Sequence, residues 1–231
     1  MSEDLGVRGT AGEARPVVTL SAGYGAGGAI VGPRVAELLD VPFLDRAIPL
    51  EVSRKLAVPL DDVLAHDERA EHGLGAVLAA FARVPLFAGG SAGPTIVDER
   101  AFADEAGRVI HARAQEGGVI LGRAAALVLA RHPGALHVRL DAPVEARIAQ
   151  AVRLAGIDED EARREQREAD RARDAYVRHF YHADPADPTL YHLVIDSTAI
   201  ELDACAELIA AAARAGLRSA RADRTAAGAQ S

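Results

Sequence analysis

Short apolar runs alternate along the chain with stretches whose apolar positions recur at helical spacing, and that alternation sets the expected fold. Pro16-Val-Val-Thr-Leu20 reads as a strand running into a glycine-rich segment, Ser21 to Gly28. A helix follows over 29–39, with Val31, Val35, Leu38 and Leu39 at helical spacing. Val41 to Asp45 is a second short strand. Residues 47–82 read as several short helices broken by Pro59, Gly73 and Gly75, 85–94 as a Gly/Pro/Ser loop, and 98–115 as a helix. Gly118 to Gly122 is a third strand that ends at Arg123, and a short helix follows to 130. Ala135 to Leu140 is a fourth strand, and Pro143 opens the next helix at its first position. Asp158 starts a long charged helix to 180, its first turn acidic. Tyr191 to Ile195 is a fifth strand and 201–214 the closing helix. Strands alternating with helices predict a three-layer α/β fold, a five-stranded parallel sheet with helices on both faces.

Composition narrows the function classes. A chain of 231 residues, 49% hydrophobic, can bury a full core without disulfides or metal. Acidic residues outnumber basic ones by 34 to 26, a net charge of −8, which argues against non-specific binding to nucleic acid or an anionic membrane. Cys205 is the single cysteine and sits in an alanine-rich apolar stretch, so it is expected as a buried small hydrophobe. No segment reaches the ~18 apolar residues of a membrane helix, and residues 1–14 lack a signal-peptide core. The expectation is a soluble, cytoplasmic protein with a folded domain over 15–214 and disordered tails at 1–14 and 215–231. One oddity remains: only Lys55 is lysine, and the other 25 basic residues are arginine.

The candidate chemistry begins at the glycine-rich turn. In α/β sheets ligands bind at the carboxyl ends of strands, and glycines let bare backbone approach an anion there. A helix starting at 29 would add its free N–H groups and dipole. Phosphate binding is the expected role. Read through Gly23, Gly25 and Gly28, the turn is a G-x-G-x-x-G dinucleotide fingerprint, with Asp45 placed 17 residues after Gly28 as a ribose-binding acid would be. Read as a Walker A loop, Gly25-Ala26-Gly27 fits, but Gly28 and Ala29 stand where lysine and a hydroxyl residue belong. The turn by itself favours the dinucleotide reading.

The rest of the chain favours the other. Over residues 16–213 the sequence resembles the cytidylate-kinase-like family of P-loop nucleoside-monophosphate kinases. Ser21-Ala-Gly-Tyr-Gly-Ala-Gly-Gly-Ala29 resembles the family's S-R-E-Y-G-S-G-G-R, and Pro42-Phe-Leu-Asp45 its P-F-x-D. Val119-Ile-Leu-Gly-Arg123 matches V-I-x-G-R, and Ala142-Pro-Val-Glu-Ala-Arg-Ile148 matches A-P-x-E-x-R-I. Asp170-Arg171-Ala-Arg173 with Tyr176 resembles the D-R-x-R…Y of a mobile lid, and Asp196-Ser197-Thr198 the closing D/N-S/T-T. Asp67-Glu-Arg69 is a looser match to its D-E-R.

That resemblance implies a P-loop NTPase-like fold with a helical lid over 153–182, ATP and magnesium as cofactors, and small-molecule nucleotides as partners. It places the donor phosphates on Ser21, Gly23, Gly25, Ala26, Gly27, Gly28 and Ala29, and the acceptor monophosphate between 45–95 and the third strand. Arg123 would clamp the acceptor phosphate through its bidentate fork, with a surface ion pair as the plain alternative. Asp45 would contact the acceptor sugar or base or help position magnesium; capping a helix over 47–56 is nearly as good a role. Asp170 would join the substrate site, and Arg171, Arg173 and Arg167 would swing over the phosphates as the lid closes. Much of that helix also reads as ordinary i,i+4 pairs, Glu159/Arg163, Asp160/Arg164 and Asp174/Arg178. His179 and His182 are expected at the surface or as a cap rather than on a metal, and the remaining histidines carry no signal.

The chain departs from the family where charge matters. Ala22, Gly23 and Ala29 stand where it usually has Arg, Glu and Arg, and Ala126 where Asp or Asn usually follows the G-R motif. Arg34 could substitute only if the helix start is displaced. Three functions stay open at this point: an ATP:nucleoside-monophosphate kinase, cytidylate by family implication; a nucleotide-binding homologue with little catalysis and a regulatory or partner role; and a Rossmann oxidoreductase.

Overall fold

The computed structural model describes residues 15–45, 99–122 and 124–228. The short helices expected over 47–82, the 85–94 loop, the tail 1–14, Lys55, Asp67-Glu-Arg69 and Arg123 lie outside these residues.

In chain order the described elements are β1 (Val17–Ala22), α1 (Gly28–Leu39), β2 (Phe43–Leu44), α2 (Glu99–Glu116), β3 (Gly118–Leu121), α3 (Ala125–Val128), β4 (Ala135–Asp141), α4 (Val144–Ala155), α5 (Glu159–Tyr181), β5 (Leu193–Asp196) and α6 (Leu202–Gly228). A 3-10 turn, Pro188–Leu190, precedes β5. The five strands pair in the order β2-β3-β1-β4-β5, all parallel, so β1 runs down the middle.

That order corrects the oxidoreductase alternative. A Rossmann sheet sets strand 2 beside strand 1, so that its terminal acid reaches the ribose. Here β3 lies between them, and Val17–Leu20 pairs with Gly118–Leu121 instead. Asp45, at the end of β2, therefore stands two strand spacings from β1, about 10 Å.

Burial on both faces follows from side-chain alternation. On one face Val18, Leu20, Val119, Val138 and Leu140 pack with Val31 and Val35 of α1 and with Cys205, Ala206 and Ile209 of α6. On the other, Val17 and Ile120 pack with Val109, Ile110 and Ala114 of α2 and with Ala125 and Leu129. Cys205 is fully buried, as expected. The buried face of α1 includes Gly32, where a Cβ would lie 2.5 Å from the Phe43 ring, so only glycine lets β2 sit this close.

Three expectations need correction. Pro143 is the N-cap of α4, one position before the helix, rather than its first residue. Asp158 does cap α5, accepting from the Glu161 N–H at 2.8 Å, but Arg164 pairs with Glu161 and Arg178 with Asp184 rather than with Asp160 and Asp174. The closing helix runs to Gly228 instead of ending at 214. Residues 217–227 are rich in Ala and Arg, strong helix formers, and contain no proline.

A histidine with no signal in the sequence proves to be structural. His137 of β4 is 5% exposed, shares a 2.8 Å hydrogen bond with the Thr19 hydroxyl, and stacks on His192 at 4.9 Å. Burial, aided by His192, pushes it down from 6.5 to about 4. The unfolded chain therefore takes up a proton between these pH values that the folded chain refuses. Stability is full above pH 6.5 and falls as pH drops toward 4, by up to about 3 kcal/mol before solvent screening reduces it. Urea unfolding across pH 4–7 should show that slope, and His137→Gln should flatten it; equal slopes in both proteins would contradict the assignment.

Candidate functional site

The glycine loop starts two residues later than the sequence suggested. Ser21 and Ala22 are the last residues of β1, in register with Arg139 and Leu140. The Gly23 N–H still donates to Leu140 O at 3.2 Å, and the chain then leaves the sheet. Ala26 N–H closes a tight turn on Gly23 O at 3.0 Å. Gly25 and Gly27 are left-handed, φ +75 and +76, and α1 begins at Gly28. At Gly25 a side chain is doubly excluded, because its Cβ would lie 2.1 Å from the Arg147 carbonyl oxygen.

Side chains from three distant elements hold this loop. Arg147 of α4, 5% exposed, donates through Nη1 to Tyr24 O and to Asp170 Oδ2, each at 2.8 Å, and through Nε to Ala142 O at 3.1 Å. Gln150, one turn on, donates to Gly25 O at 2.9 Å. Ser197, just past β5, donates to Ala26 O at 2.8 Å. Asp170 of α5 accepts the Tyr24 N–H at 2.9 Å. Burial pushes its carboxyl up, but the Tyr24 N–H, the Gln166 amide and the Arg147 guanidinium outweigh that and hold it below the usual carboxylate range. The Tyr24 hydroxyl donates to Glu165 at 2.6 Å, and its ring packs on Ile148, Ala151 and Ala162. The loop is thus docked on α4 and α5.

Of the expected residues, Gly23, Gly25, Ala26, Gly27, Gly28 and Ala29 form the loop and helix start, and Asp170 touches the loop directly. Arg173 joins it through Asp170, at 3.2 Å. Arg167 and Arg171 are exposed and make no ion pair among the described residues. Arg163 is held by Glu145 and Glu159 on the outside of the α4/α5 pair. Arg34 cannot reach the loop, since α1 starts in place and the guanidinium is paired with Glu37 and Asp203. Asp45 follows β2 and is half-buried.

Sequence reasoning missed Tyr24, Arg147, Gln150 and Ser197 as parts of the site. Arg147 and Ser197 lie inside stretches already singled out, A-P-x-E-x-R-I and Asp-Ser-Thr, but nothing local tells which residue turns toward the loop. His182 caps α5 in the left-handed conformation, and the His179 ring meets Phe180 edge-on. Among the described residues no three His, Cys, Asp or Glu side chains are grouped to hold a metal, and no helix is long and apolar enough to cross a membrane.

The backbone N–H groups of Gly25, Gly27, Gly28 and Ala29 make no hydrogen bond among the described residues. They cluster at the carboxyl end of the central strand and at the positive end of a twelve-residue helix, an arrangement suited to an anion.

Residues 17–199 match the cytidylate kinase-like family. A stretch of 94 residues is 38% identical to the cytidylate kinase of Methanopyrus kandleri, covering 37% of this chain and 49% of that protein. Another alignment of 94 residues is 31% identical to the uronate isomerase of Corynebacterium glutamicum, covering 41% of this chain but 18% of that protein. The chain therefore spans about half the length of the first relative and less of the second. Among solved structures, an uncharacterized protein from Eubacterium ventriosum superposes with a TM-score of 0.57 at 16% identity, over 84% of this chain and 95% of that one, a likeness of fold.

Proposed function

This chain belongs to the cytidylate kinase-like family, and from that premise we propose that it transfers the terminal phosphoryl group of ATP to a nucleoside monophosphate, with CMP or dCMP as acceptor. The observation that carries the reading is the row of loop amides at Gly25, Gly27, Gly28 and Ala29, unpartnered among the described residues, in a chain of this family. They would hold the donor's phosphates. An acceptor phosphate oxygen then attacks the γ-phosphorus, the bond to the β,γ-bridging oxygen breaks, and ADP departs with that electron pair. Protein chemistry in such a reaction is positioning and charge stabilisation. Arg173, beside the loop, and Arg167 and Arg171, exposed on α5, are the side chains that can supply positive charge from the lid side. Asp45 and Arg123 are assigned to the acceptor. Magnesium usually binds through substrate phosphates and one or two carboxylates, so it would arrive on the nucleotide and neutralise charge there.

A second reading, nucleotide binding with little turnover, is favoured by one observation. No cationic side chain stands at Gly28 or Ala29, and Arg147, buried beside the loop, is engaged by Asp170 and Asp141. The two readings separate in one assay. Purified protein with magnesium-ATP and CMP, dCMP, UMP or AMP in turn should form ADP and the matching diphosphate, with the cytidine substrates best. Saturable ATP binding with no diphosphate from any acceptor would replace the first reading with the second.

A further inference from the structure

A trans peptide unit holds its C=O and N–H on opposite sides, so fixing the carbonyl of one residue aims the amide of the next. The glycine loop is held in just this way, by three side chains that are nearly inaccessible to solvent. Arg147 takes the Tyr24 carbonyl, Gln150 the Gly25 carbonyl and Ser197 the Ala26 carbonyl, at 2.8, 2.9 and 2.8 Å. The three are 5%, 3% and 1% exposed. The next carbonyl, Gly27, is taken by the Ile30 and Val31 N–H groups at the start of α1. Four consecutive peptide planes are therefore pinned by their oxygens.

The amides that follow these carbonyls are those of Gly25, Ala26, Gly27 and Gly28. Ala26 N–H is used inside the turn, on Gly23 O. Gly25, Gly27 and Gly28 N–H are left without a partner among the described residues, each facing away from the side chain or helix that grips the preceding oxygen. We propose that Arg147, Gln150 and Ser197 are positioning residues that set these amides for the phosphates of the donor nucleotide, in a loop that has no lysine to do the holding. The proposal rests on the phosphate-site reading above. Its chemistry is that of an oligophosphate: several adjacent anionic oxygens meeting several fixed donors, whose preorganisation removes the reorganisation cost of binding. The division of labour is specific. Ser197 governs the Gly27 amide, Arg147 the Gly25 amide, and Gln150 braces the turn between them. A residue that only filled space would not show such a one-to-one relation.

The test uses the full chain labelled with 15N and inorganic tripolyphosphate as the probe, which removes base recognition from the result. In the wild type the Gly25, Gly27 and Gly28 amide resonances should move together as the probe saturates. Ser197→Ala should bind about tenfold more weakly, with the Gly27 response lost and the Gly25 response kept. Gln150→Glu, equal in size but accepting where glutamine donates, should weaken binding at least as much and keeps the question answerable if Ser197→Ala does not fold. Wild-type affinity and an unchanged Gly27 response in folded Ser197→Ala, or wild-type affinity in Gln150→Glu, would overturn the positioning role. A wild-type loop whose amides ignore tripolyphosphate would instead overturn the phosphate site itself, so the two failures are told apart.

Discussion

Replacing Arg147 with methionine should cost about 3 kcal/mol of stability, because removing one partner of a buried ion pair strands the other. Methionine keeps most of the stem's packing volume, so the loss isolates the guanidinium. Asp141 retains Arg139 at 2.7 Å. Asp170 retains the Tyr24 N–H, Gln166 and Arg173 but loses the 2.8 Å contact with Arg147, and Tyr24 O loses its donor. For a chain of this size the melting temperature should drop by roughly 6–12 °C. The effect has a pH signature. Asp170 is held below its ordinary range, so its contribution is present above the unfolded carboxylate pKa and is lost as pH falls through the lower folded value. Arg147→Met should therefore narrow its deficit in acid. Adding Asp170→Asn should recover part of the loss, a coupling visible in a double-mutant cycle. A melting temperature within a degree or two of wild type would show that Arg147 does not hold the loop to α4 and α5.

Restoring positive charge to the loop should have the largest effect on turnover, and position decides its sign. Ala29 is exposed on the first turn of α1, with room for a side chain, and stands where the family resemblance puts arginine. A charge-assisted bond there is worth about 1.5–3 kcal/mol, so Ala29→Arg should raise the transfer rate roughly ten- to a hundredfold, less a few tenths of a kcal/mol for a cation at a helix N-terminus. Gly28, the Walker lysine position, behaves oppositely. A Cβ at Gly28 would lie 2.6 Å from the Ala22 Cβ and 3.2 Å from Leu121. Gly28→Lys should displace the helix start and weaken ATP binding, and Ala22→Gly in the same chain should relieve part of the clash. A coupled assay for ADP release reads both variants. A rate unchanged in Ala29→Arg would mean that missing charge on the loop does not limit the reaction.

The layers of the fold were legible because local patterns determine them. Val17–Leu20, Gly118–Leu121 and Ala135–Leu140 read as strands, α1 showed its apolar spacing and α5 its Asp158 cap. Strand order was not legible, because Gly23, Gly25, Gly28 and Asp45 satisfy the dinucleotide spacing whichever strand lies beside β1; only the pairing with β3 decides. The loop itself was visible in its glycines, two of which take the left-handed conformation. What shapes the loop was not, since Arg147, Gln150 and Ser197 reach it from 123, 125 and 171 residues away. His137 gave no signal for the same reason, its partner Thr19 being 118 residues away. The extension of α6 beyond 214 rests on alanine and arginine propensity, which the apolar pattern does not register.

The lysine count takes its meaning from this geometry. Lys55 is the only lysine, position 28 is closed to a side chain, and the loop presents backbone amides alone. The proposed role of these amides is to hold a nucleoside triphosphate by its phosphates. Titration calorimetry of the wild-type chain with magnesium-ATP, ADP, adenosine and NADH tests it most directly. ATP should bind saturably, ADP more weakly and adenosine not at all. Equal binding of adenosine and ATP, or binding of NADH without ATP, would contradict it.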